Sequence, residues 1–348
     1  MELSNSLTKQ HTPPSHANHS VRTDALSLES VGCCICETDD AAPVAVGEDF
    51  EYRTSEDTFL AMRCNGCGLV YLNPRPSLDE LSRIYPQNYH AFEFNEERFG
   101  FVYKVRRRLE ARRVLSWCRN LNDDARIIDV GCGDGFHLRL LRDFGKPGWN
   151  IEGIDSDERA VMAATRDGLK VHQGTVEQLE LSKASYDLAI LIQTIEHVAD
   201  PPAVLRAVRS LLKPGGTLVI VTDNTDSPDF KFFKGRHWGG YHFPRHWNLF
   251  NEESLRALAR KVEMDVDSLS TIVSPVNWVY SIRNTLVDWH KPQWLINRFS
   301  LESPGSLAAF TVFDSLHQLG GRGALLRAIL RRPMENRSQE TGVRSQNE

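Results

Sequence analysis

Two cysteine pairs near the start of the chain have the spacing of metal ligands. Cys33 and Cys36 form one C-x-x-C pair, Cys64 and Cys67 form a second, and 27 residues separate the two. Each such turn can present two thiolates to one ion, and two turns complete the closed tetrahedral shell of a structural zinc site. The alternatives are reduced, unliganded thiols or a redox pair, and the extra thiol of Cys34 offers an alternative ligand. We expect a structural zinc ion at this cluster.

A glycine-rich loop in the middle of the chain has the composition of a ligand cradle. It lies where the apolar run 126–130 gives way to a helical pattern, and it carries Gly131, Gly133 and Gly135. Glycines let the backbone turn tightly and approach a ligand closely. The third glycine of a dinucleotide fingerprint would fall at Phe136, and no phosphate-binding G-x-x-x-x-G-K-[ST] sequence is present. The loop therefore predicts a ligand held outside the usual phosphate-cradling patterns.

Two acidic residues beside this loop define the ligand further. Asp155 closes the next predicted strand, 20 residues beyond Gly135, where a carboxylate can accept hydrogen bonds from both hydroxyls of a ribose. Asp129, just before the loop, can orient it and attract an ammonium group. A ligand with a nucleoside at one end and a cationic amino acid at the other fits both acids, and S-adenosylmethionine is such a ligand.

Two later segments carry side chains that can remove a proton. Glu196 and His197 follow the fourth predicted strand, at the edge where open α/β sheets bind ligands. The segment 239–247 follows the fifth predicted strand and holds His242 and His246 among aromatic residues. Histidine is suited to proton transfer near neutral pH, and we expect His246 or His242 to act as the base. The alternatives are that the Glu196–His197 pair holds its loop and that the later histidines belong to an aromatic core.

The candidate residues follow different predicted strands, so the fold must bring the ends of those strands together. From Ala125 onward, strand and helix patterns alternate along the chain. The predicted strands are apolar runs, typical of strands covered on both faces: 126–130, 150–154, 169–172, 188–192 and 217–221. Helical patterns separate them, as in βαβ units on a parallel sheet. Two further strands are predicted near 266–272 and 324–330, with a mainly helical segment 275–322 between them. The predicted fold class is therefore α/β, doubly wound, with a mostly parallel seven-stranded sheet and a helical insertion before the last strand.

The motif series from residue 129 onward resembles that of class I S-adenosylmethionine-dependent methyltransferases. The segments 129–135, 154–156 and 174–177 are similar to the first three motifs of that family, and three later motifs follow in order between 186 and 216. The resemblance covers about residues 100–275 and implies a Rossmann-like fold and methyl transfer from S-adenosylmethionine. The residues that it assigns to the cofactor are Asp129, Gly131, Cys132, Gly133, Gly135, Asp155, Ser156, Thr175, Val176, Glu177 and Gln193.

The segment after the second cysteine pair resembles a zinc-headed subgroup of the same family. Residues 67–76 read Cys-Gly-Leu-Val-Tyr-Leu-Asn-Pro-Arg-Pro, and the subgroup includes sugar C-methyltransferases and enzymes of polysaccharide and natural-product pathways. The resemblance then extends over residues 31–333. Ubiquinone-pathway relatives carry Glu-x-x-Glu-His with a bound divalent ion, whereas this chain has Gln193 at the first position. Because an amide is a poorer ligand than a carboxylate for a hard cation, we expect no catalytic metal.

Composition and motifs divide the chain into five segments. They are a disordered tail 1–30, a zinc-ribbon-like module 31–76, linker helices 77–124, a methyltransferase domain 125–333 with a helical cap 275–322, and a polar tail 334–348. No apolar run approaches the ~20 residues that a membrane-spanning helix needs. The polar N-terminus lacks the apolar core of a secretory signal. We therefore expect a cytoplasmic protein.

The balance of charges bears on the partners. Lys and Arg number 41 against 46 Asp and Glu, so the formal net charge is −5. This balance disfavours nucleic acid. The one basic cluster, within residues 104–113, is interpreted as a solvated helix face, with peripheral contact to anionic lipid as the alternative. The sequence does not predict an oligomeric state.

The predicted reaction is methyl transfer from S-adenosylmethionine to an oxygen or carbon of a small molecule, such as a sugar, glycan or natural-product precursor. In the acceptor site, Arg245 can hold a carboxylate or phosphate group bidentately, unless its segment is an aromatic core patch. Three hypotheses compete. The first is an RNA or protein methyltransferase that uses the zinc module to hold its substrate, the second is a non-catalytic cofactor-binding protein, and the third is a dehydrogenase.

Overall fold

Strands and helices are described here for residues 25–86, Tyr89 and residues 96–334 of a computed structural model. The strands are β1 (Leu28–Glu29), β2 (Ala41–Gly47), β3 (Phe59–Cys64), β4 (Val70–Leu72), β5 (Arg75–Pro76), β6 (Arg126–Val130), β7 (Asn150–Asp155), β8 (Val171–Gln173), β9 (Tyr186–Ile192), β10 (Leu212–Asp223), β11 (Asn248–Leu249), β12 (Asp265–Ile272) and β13 (Leu325–Arg331). The α-helices are α1 (Leu81–Ile84), α2 (Glu96–Trp117), α3 (Phe136–Phe144), α4 (Glu158–Arg166), α5 (Pro201–Leu211), α6 (Pro228–Phe233), α7 (Glu252–Lys261), α8 (Val276–Asp288), α9 (Gln293–Ile296) and α10 (Pro304–Leu319).

The largest sheet has seven strands in the order β12-β13-β10-β9-β6-β7-β8. Only β13 runs antiparallel to its neighbours, and the pairs from β10 to β8 are all parallel. The central strand β9 has the continuous apolar run Leu188–Leu191, which is fully buried because helices cover both faces. This arrangement confirms the predicted α/β class and the seven-stranded, mostly parallel sheet. It also brings the carboxyl ends of β6 to β10 to one edge.

Side-chain caps fix the points at which the covering helices begin. The carboxylate of Asp157 accepts hydrogen bonds from the first turn of α4, and Asp200 accepts one from the backbone N–H of Ala203 in α5. Asn251 and Ser254 form a reciprocal capping box at the start of α7. Such caps each contribute about 1 kcal/mol. They set the length of the loops that carry the predicted site residues.

A second sheet forms the N-terminal module, and one of its strands comes from the body of the protein. Its order is β11-β4-β3-β2, with antiparallel pairing throughout. The strand β11 immediately follows the histidine-rich segment 239–247. The sequence did not predict this pairing because a two-residue strand leaves no periodic pattern. The zinc-ribbon-like module predicted over 31–76 therefore shares a sheet with the body.

The first of the described residues also differ from the prediction. Leu28–Glu29 pairs with Arg75–Pro76, and the N–H of Ser27 donates to the Glu80 carboxylate at 2.9 Å. Leu26 is buried. Residues 25–30 therefore do not belong to the predicted disordered tail 1–30. The prediction missed these contacts because the composition of the segment is polar. The rest of that tail, 1–24, and the polar tail from 335 lie outside the described residues.

The helical insertion lies between β12 and β13, as predicted. Its first helix, α8, packs against the turn 239–241, where the N–H of Gly239 donates to Ser281 Oγ at 2.8 Å. The buried carboxylate of Asp314 on α10 accepts hydrogen bonds from Trp278 Nε1 and from the N–H of Ser274. The insertion is therefore fixed beside the histidine-rich segment.

The basic cluster lies on α2. Arg107 pairs with Asp143 at 2.5 Å, and Arg113 pairs with Glu110 at 2.9 Å. These pairs are partly exposed and contribute little to stability, which fits a solvated helix face. Within the described part of the chain, no helix combines the length and apolar character that crossing a membrane requires.

A buried ion pair joins the module to the body. The carboxylate of Asp49 receives hydrogen bonds from Arg245 Nη1 at 3.2 Å and Nη2 at 2.8 Å, and neither side chain is exposed. Arg245 Nε donates to the carbonyl of Ile84, while the N–H of Thr54 also donates to Asp49. Although burial alone would raise the pKa of Asp49, the hydrogen bonds and charge of Arg245 lower it. The two chain segments are thus held together by a fully satisfied pair.

We predict that Asp49→Ala lowers the free energy of unfolding by about 3–5 kcal/mol, because it leaves the Arg245 charge buried without its partner. Urea unfolding followed by tryptophan fluorescence measures the change. The matched control is Glu48→Ala, which removes a largely exposed partner of Arg236 and should cost less than about 1 kcal/mol. Equal unfolding midpoints for the two variants would contradict the prediction.

Candidate active site

The glycine-rich loop between β6 and α3 has a backbone that favours glycine. The φ angle is 76° at Gly131, 54° at Gly133 and 85° at Gly135, in the left-handed region that residues with a Cβ disfavour. A Cβ on Gly131 would lie 2.4 Å from Thr194, and a Cβ on Gly135 would lie 2.4 Å from Leu169. At Gly133 no described atom comes within 4 Å of the Cβ position. The loop therefore leaves open space next to the backbone at Gly133, where a ligand can approach closely.

Asp155 ends β7 beside this loop, and backbone hydrogen bonds orient its carboxylate. Its Oδ2 accepts from the N–H of Gly133 at 2.7 Å, and its Oδ1 accepts from the N–H of Asp157 at 2.9 Å. Burial raises the pKa of this carboxyl group. Each carboxylate oxygen can accept a further hydrogen bond, so a ribose diol can still be held. Ser156, the next predicted cofactor residue, is exposed.

Two buried oxygen atoms on neighbouring strands receive no hydrogen bond from the residues that the structure describes. They are Asp129 Oδ2, near the end of β6, and Gln193 Oε1, just beyond β9. Burial, followed by the charge of Asp155, raises the pKa of Asp129 to about 8. An unmatched buried acceptor costs about 1–3 kcal/mol. Both oxygens therefore suit a cationic donor such as the ammonium group of S-adenosylmethionine, whose charge favours ionised Asp129.

The remaining predicted cofactor residues stand at the same edge of the sheet. Cys132 is buried, its N–H donates to the carbonyl of Ile154, and burial raises the pKa of its thiol. A neutral thiol is a poor nucleophile, so Cys132 acts as a small loop residue. Thr175, Val176 and Glu177 follow β8, with Val176 buried and Glu177 exposed. Their assignment to the cofactor stays a prediction.

Glu196 is completely buried and is bonded on both of its carboxyl oxygens. Its Oε1 accepts from Gln193 Nε2 at 2.5 Å, and its Oε2 accepts from Thr222 Oγ1 at 2.9 Å. Burial, followed by the charge of Asp223, raises the pKa of Glu196 to about 8. Burial favours the protonated form of this carboxyl group, and hydrogen bonds engage both of its oxygens. It is therefore poorly placed to take up a further proton. Its contacts tie together the ends of β9 and β10, which is the alternative that the sequence left open.

Three histidines form a cluster beyond these strand ends. The ring centroids of His197 and His246 are 4.5 Å apart, those of His242 and His246 are 5.0 Å apart, and those of His197 and His242 are 6.4 Å apart. The structure thus brings the two predicted proton-transfer segments together. Because these segments are more than 40 residues apart in sequence, the spacing alone could not show that they meet.

The three rings have different hydrogen-bond partners. His246 Nδ1 bonds to the carbonyl of Gly240 at 2.7 Å, and burial lowers the pKa of His246 well below its ordinary value. His197 Nδ1 lies 2.9 Å from the hydroxyl of Tyr85. His242 Nδ1 lies 2.6 Å from Glu51 Oε2. The sequence pattern singles out neither Tyr85 nor Glu51, and Glu51 follows a strand with no motif around it.

One carboxyl group and two of these rings come close enough to share an ion. Glu196, His197 and His246 each offer a ligand atom, and the three atoms lie within 4.8 Å of one another. Both oxygens of Glu196 are already engaged, however, and position 193 supplies an amide in place of a second carboxylate. This donor set is a weak match for a hard divalent cation. The imidazole rings can exchange protons without a bound ion.

Arg245 does not have the role that the sequence suggested. Its side chain is fully buried and its guanidinium is occupied by Asp49 and by backbone carbonyls. The expectation that it holds an acidic acceptor is therefore wrong. A planar guanidinium suits a structural carboxylate as well as a bound one, so the residue type alone did not distinguish the two.

The four cysteines of the two C-x-x-C pairs come together in the N-terminal module. The sulfur atoms of Cys33, Cys36, Cys64 and Cys67 lie within 4.8 Å of one another. A hydrogen bond from Cys67 lowers the pKa of the Cys33 thiol to about 5, so one thiolate is already favoured. Four thiolates fit a closed zinc shell, and the zinc itself stays a prediction.

Cys34 lies apart from this cluster. Its thiol contacts Asn248 Oδ1 at 3.6 Å, and burial raises its pKa to about 12. A neutral thiol bonded to an amide is a poor metal ligand. The alternative in which Cys34 replaces one of the four ligands is therefore not supported by the geometry.

The order of the large sheet, the glycine loop after β6 and the acid at the end of β7 together define a class I S-adenosylmethionine-dependent methyltransferase. A family model described as "Methyltransferase domain" matches residues 94–269, about half of the chain. The chain therefore belongs to this methyltransferase family.

Curated relatives and solved structures of the same class are similar to parts of the chain. The ubiquinone biosynthesis O-methyltransferase of Cereibacter sphaeroides (strain ATCC 17025 / ATH 2.4.3) is 32% identical over 169 residues, which cover 45% of this chain and 67% of that protein. The enzyme of the same name from Bordetella avium (strain 197N) is 30% identical over 192 residues, covering 50% and 78%. Phosphoethanolamine N-methyltransferase 2 of Haemonchus contortus, solved with S-adenosyl-L-methionine, has a TM-score of 0.48 and 16% identity, covering 84% of this chain and 69% of that one.

We predict that Asp155→Ala weakens S-adenosylmethionine binding by roughly 10- to 100-fold, because hydrogen bonds to a charged group are worth about 1.5–3 kcal/mol. Isothermal titration calorimetry measures the dissociation constant. Glu158→Ala removes an exposed carboxylate three residues beyond Asp155. It serves as the control and should leave the dissociation constant unchanged. Wild-type affinity in Asp155→Ala would show that this acid does not hold the ribose.

We predict that Cys64→Ser removes the zinc and lowers stability, because three thiolates no longer close the shell. Metal content per chain by atomic absorption and the thermal midpoint measure both effects. Cys34→Ser is the matched control and should keep the metal. Full metal retention in Cys64→Ser, or its loss in Cys34→Ser, would refute the ligand set.

Proposed function

We propose that this methyltransferase moves the methyl group of S-adenosylmethionine to an oxygen or carbon of a small molecule, and that a histidine takes up the acceptor's proton. The observation that carries the proposal is the cluster of His197, His242 and His246 at the sheet edge that holds the glycine loop. Methyl transfer is an in-line displacement at a sulfonium that is already activated by its charge. The protein needs to align the acceptor, exclude water and remove a proton.

Aromatic side chains around the cluster support the exclusion of water. Tyr241 and Phe243 stack with ring centroids 4.8 Å apart, and Tyr85 meets Tyr89 edge-on at 5.1 Å. Trp247 is buried beside them. Such a wall lowers the local dielectric and favours a dry reaction site.

The burial of the histidines supports a small acceptor. The side chains of His242 and His246 are only 7% and 10% exposed. An RNA or protein substrate would have to insert a single group deep between the module and the body. The net charge of −5 adds no attraction for RNA. The curated relatives are named as O-methyltransferases of ubiquinone biosynthesis, and we extend to this chain only the class of small-molecule acceptors, including sugar, glycan and natural-product precursors.

The N-terminal module is proposed to hold zinc in a structural role. Four cysteines close the shell and leave no open position for a substrate or water. The module 31–76 is then a ribbon stabilised by its ion and by the strand that the body contributes. Together with the cofactor loop, this accounts for five of the seven cysteines.

Methyl-tritiated S-adenosylmethionine tests the proposal directly. The protein is incubated with the small-molecule, RNA and protein fractions of one cell extract at a cofactor concentration near the wild-type dissociation constant. Asp155→Ala is the control with weakened cofactor binding. Label should enter the small-molecule fraction with wild type and much more slowly with the control. Label in RNA or protein would favour the macromolecular alternative. Bound cofactor with no label in any fraction would favour a non-catalytic cofactor-binding protein.

A further inference from the structure

A carboxylate of the N-terminal module reaches one ring of the histidine cluster. Glu51 lies in the loop that follows β2, and its Oε2 is 2.6 Å from Nδ1 of His242. The two side chains are 15% and 7% exposed. At this distance and burial the contact is a hydrogen bond between a histidine and a carboxylate.

The loop that carries Glu51 is held in place from both sides. Two residues earlier, Asp49 forms the buried pair with Arg245, three residues beyond His242. Two consecutive side-chain pairs thus join the same two chain segments. They fix the carboxylate relative to the ring more firmly than a single contact would, because both segments would have to move together.

The backbone at His242 is itself held in an unfavourable conformation. Its φ angle is 39° and its ψ angle is 43°, the left-handed region that costs a residue with a Cβ about 1 kcal/mol or more. The N–H of Arg245 donates to the carbonyl of His242 at 2.8 Å, and the contact with Glu51 adds a second restraint. Such strain persists where the surroundings determine the position of a functional side chain.

The carboxylate distinguishes His242 from the other two rings. Asp223 Oδ2 lies 3.3 Å from Nδ1 of His246, but the shorter bond to the carbonyl of Gly240 takes that N–H. The Nδ1 of His197 faces a hydroxyl and a carbonyl. A carboxylate on Nδ1 holds the proton there, leaves the lone pair on Nε2 and stabilises the ring once it is protonated.

A small cleft lies beside this pair. Its lining includes Glu51, His242, Trp238, Tyr241, Phe243 and Asn284. Asn284 Oδ1 is buried and receives no hydrogen bond from the described residues. This oxygen can accept a hydrogen bond from a hydroxyl or N–H group of a bound molecule.

We infer that His242 takes the proton of the acceptor and that Glu51 of the N-terminal module is its positioning residue. This inference rests on the proposed function. The acceptor atom forms a bond to the methyl carbon while the carbon–sulfur bond breaks, and its electron pair stays on sulfur. The acceptor's proton passes to Nε2 of His242, and the imidazolium later releases it to solvent. The module thereby completes the reaction site.

Glu51→Gln tests the inference because it keeps the shape of the side chain and removes its charge. We expect kcat for the acceptor identified by labelled methyl transfer to fall by roughly 10- to 100-fold, with S-adenosylmethionine affinity unchanged. Glu51→Asp should recover part of the rate. The control Glu56→Gln removes an exposed carboxylate from the same loop and should behave as wild type.

The pH profile separates this role from a structural one. A carboxylate favours the protonated ring, so its removal lowers the pKa of the base, and the acid limb of kcat should move to lower pH. The titratable and charged groups around His242 include Glu51, Tyr52, Tyr89, His197, His246, Arg245 of its own segment, and Tyr280 of α8, which bonds to Glu51. Only the first is changed in the variant, so the shift reports on Glu51.

Ring-labelled histidine supplies a readout that needs no acceptor. In ¹⁵N spectra of the full chain, with the His242 signal assigned by its loss in His242→Gln, the wild type should show the proton on Nδ1. Glu51→Leu should shift the signal towards the other tautomer. If Glu51→Gln transfers methyl groups with the wild-type kcat and the same acid limb in its pH profile, the inference is overturned. The proposed function is not affected by that result. Absence of methyl transfer in the wild type would instead count against the proposed function, and an unchanged tautomer in Glu51→Leu would then refute the positioning role.

Discussion

The buried pair of Asp49 and Arg245 is the interaction on which the arrangement of the site depends. A guanidinium without water must have a partner, because its desolvation cost is otherwise uncompensated. Here the partner comes from a different segment of the chain, so the charge can be satisfied only when the module and the body are docked. The histidine segment, which contains Arg245, is thereby placed above the sheet edge. The cofactor loop, by contrast, depends on local backbone geometry.

The two halves of the site differ accordingly in how far the sequence predicts them. The glycine loop and Asp155 lie at strand ends, and the alternation of apolar runs with helical patterns places those ends at one edge. The seven mostly parallel strands and the helical insertion follow from the same pattern, whereas the strand order was not predicted. Nothing comparable marks Glu51 or Tyr85, whose importance arises from contacts across more than 100 residues. Arg245 was misjudged for the same reason, since its partner is distant in sequence.

Carboxyl groups at the site are held in two different electrical states by their surroundings. Asp129 and Glu196 lie in the dry interior, where burial raises the pKa of each to about 8. Asp49 is equally buried, yet an arginine keeps it ionised. The surroundings therefore favour the neutral form of Asp129 and Glu196 at the sheet edge and the charged form of Asp49 beside the histidine segment. A cationic cofactor bound beside Asp129 would change this balance on one side only.

The two-residue strand β11 has a consequence for how the protein can be divided. Its backbone bonds to β4 make the module and the body share a sheet, although the cysteines suggest a separable head. A chain cut after residue 76 would lose, in one step, the neighbour of β11, the counterion of Arg245 and the carboxylate beside His242. The module therefore cannot be exchanged between enzymes by cutting the chain at the linker alone. Grafting this head onto another methyltransferase would require its histidine segment to be carried along.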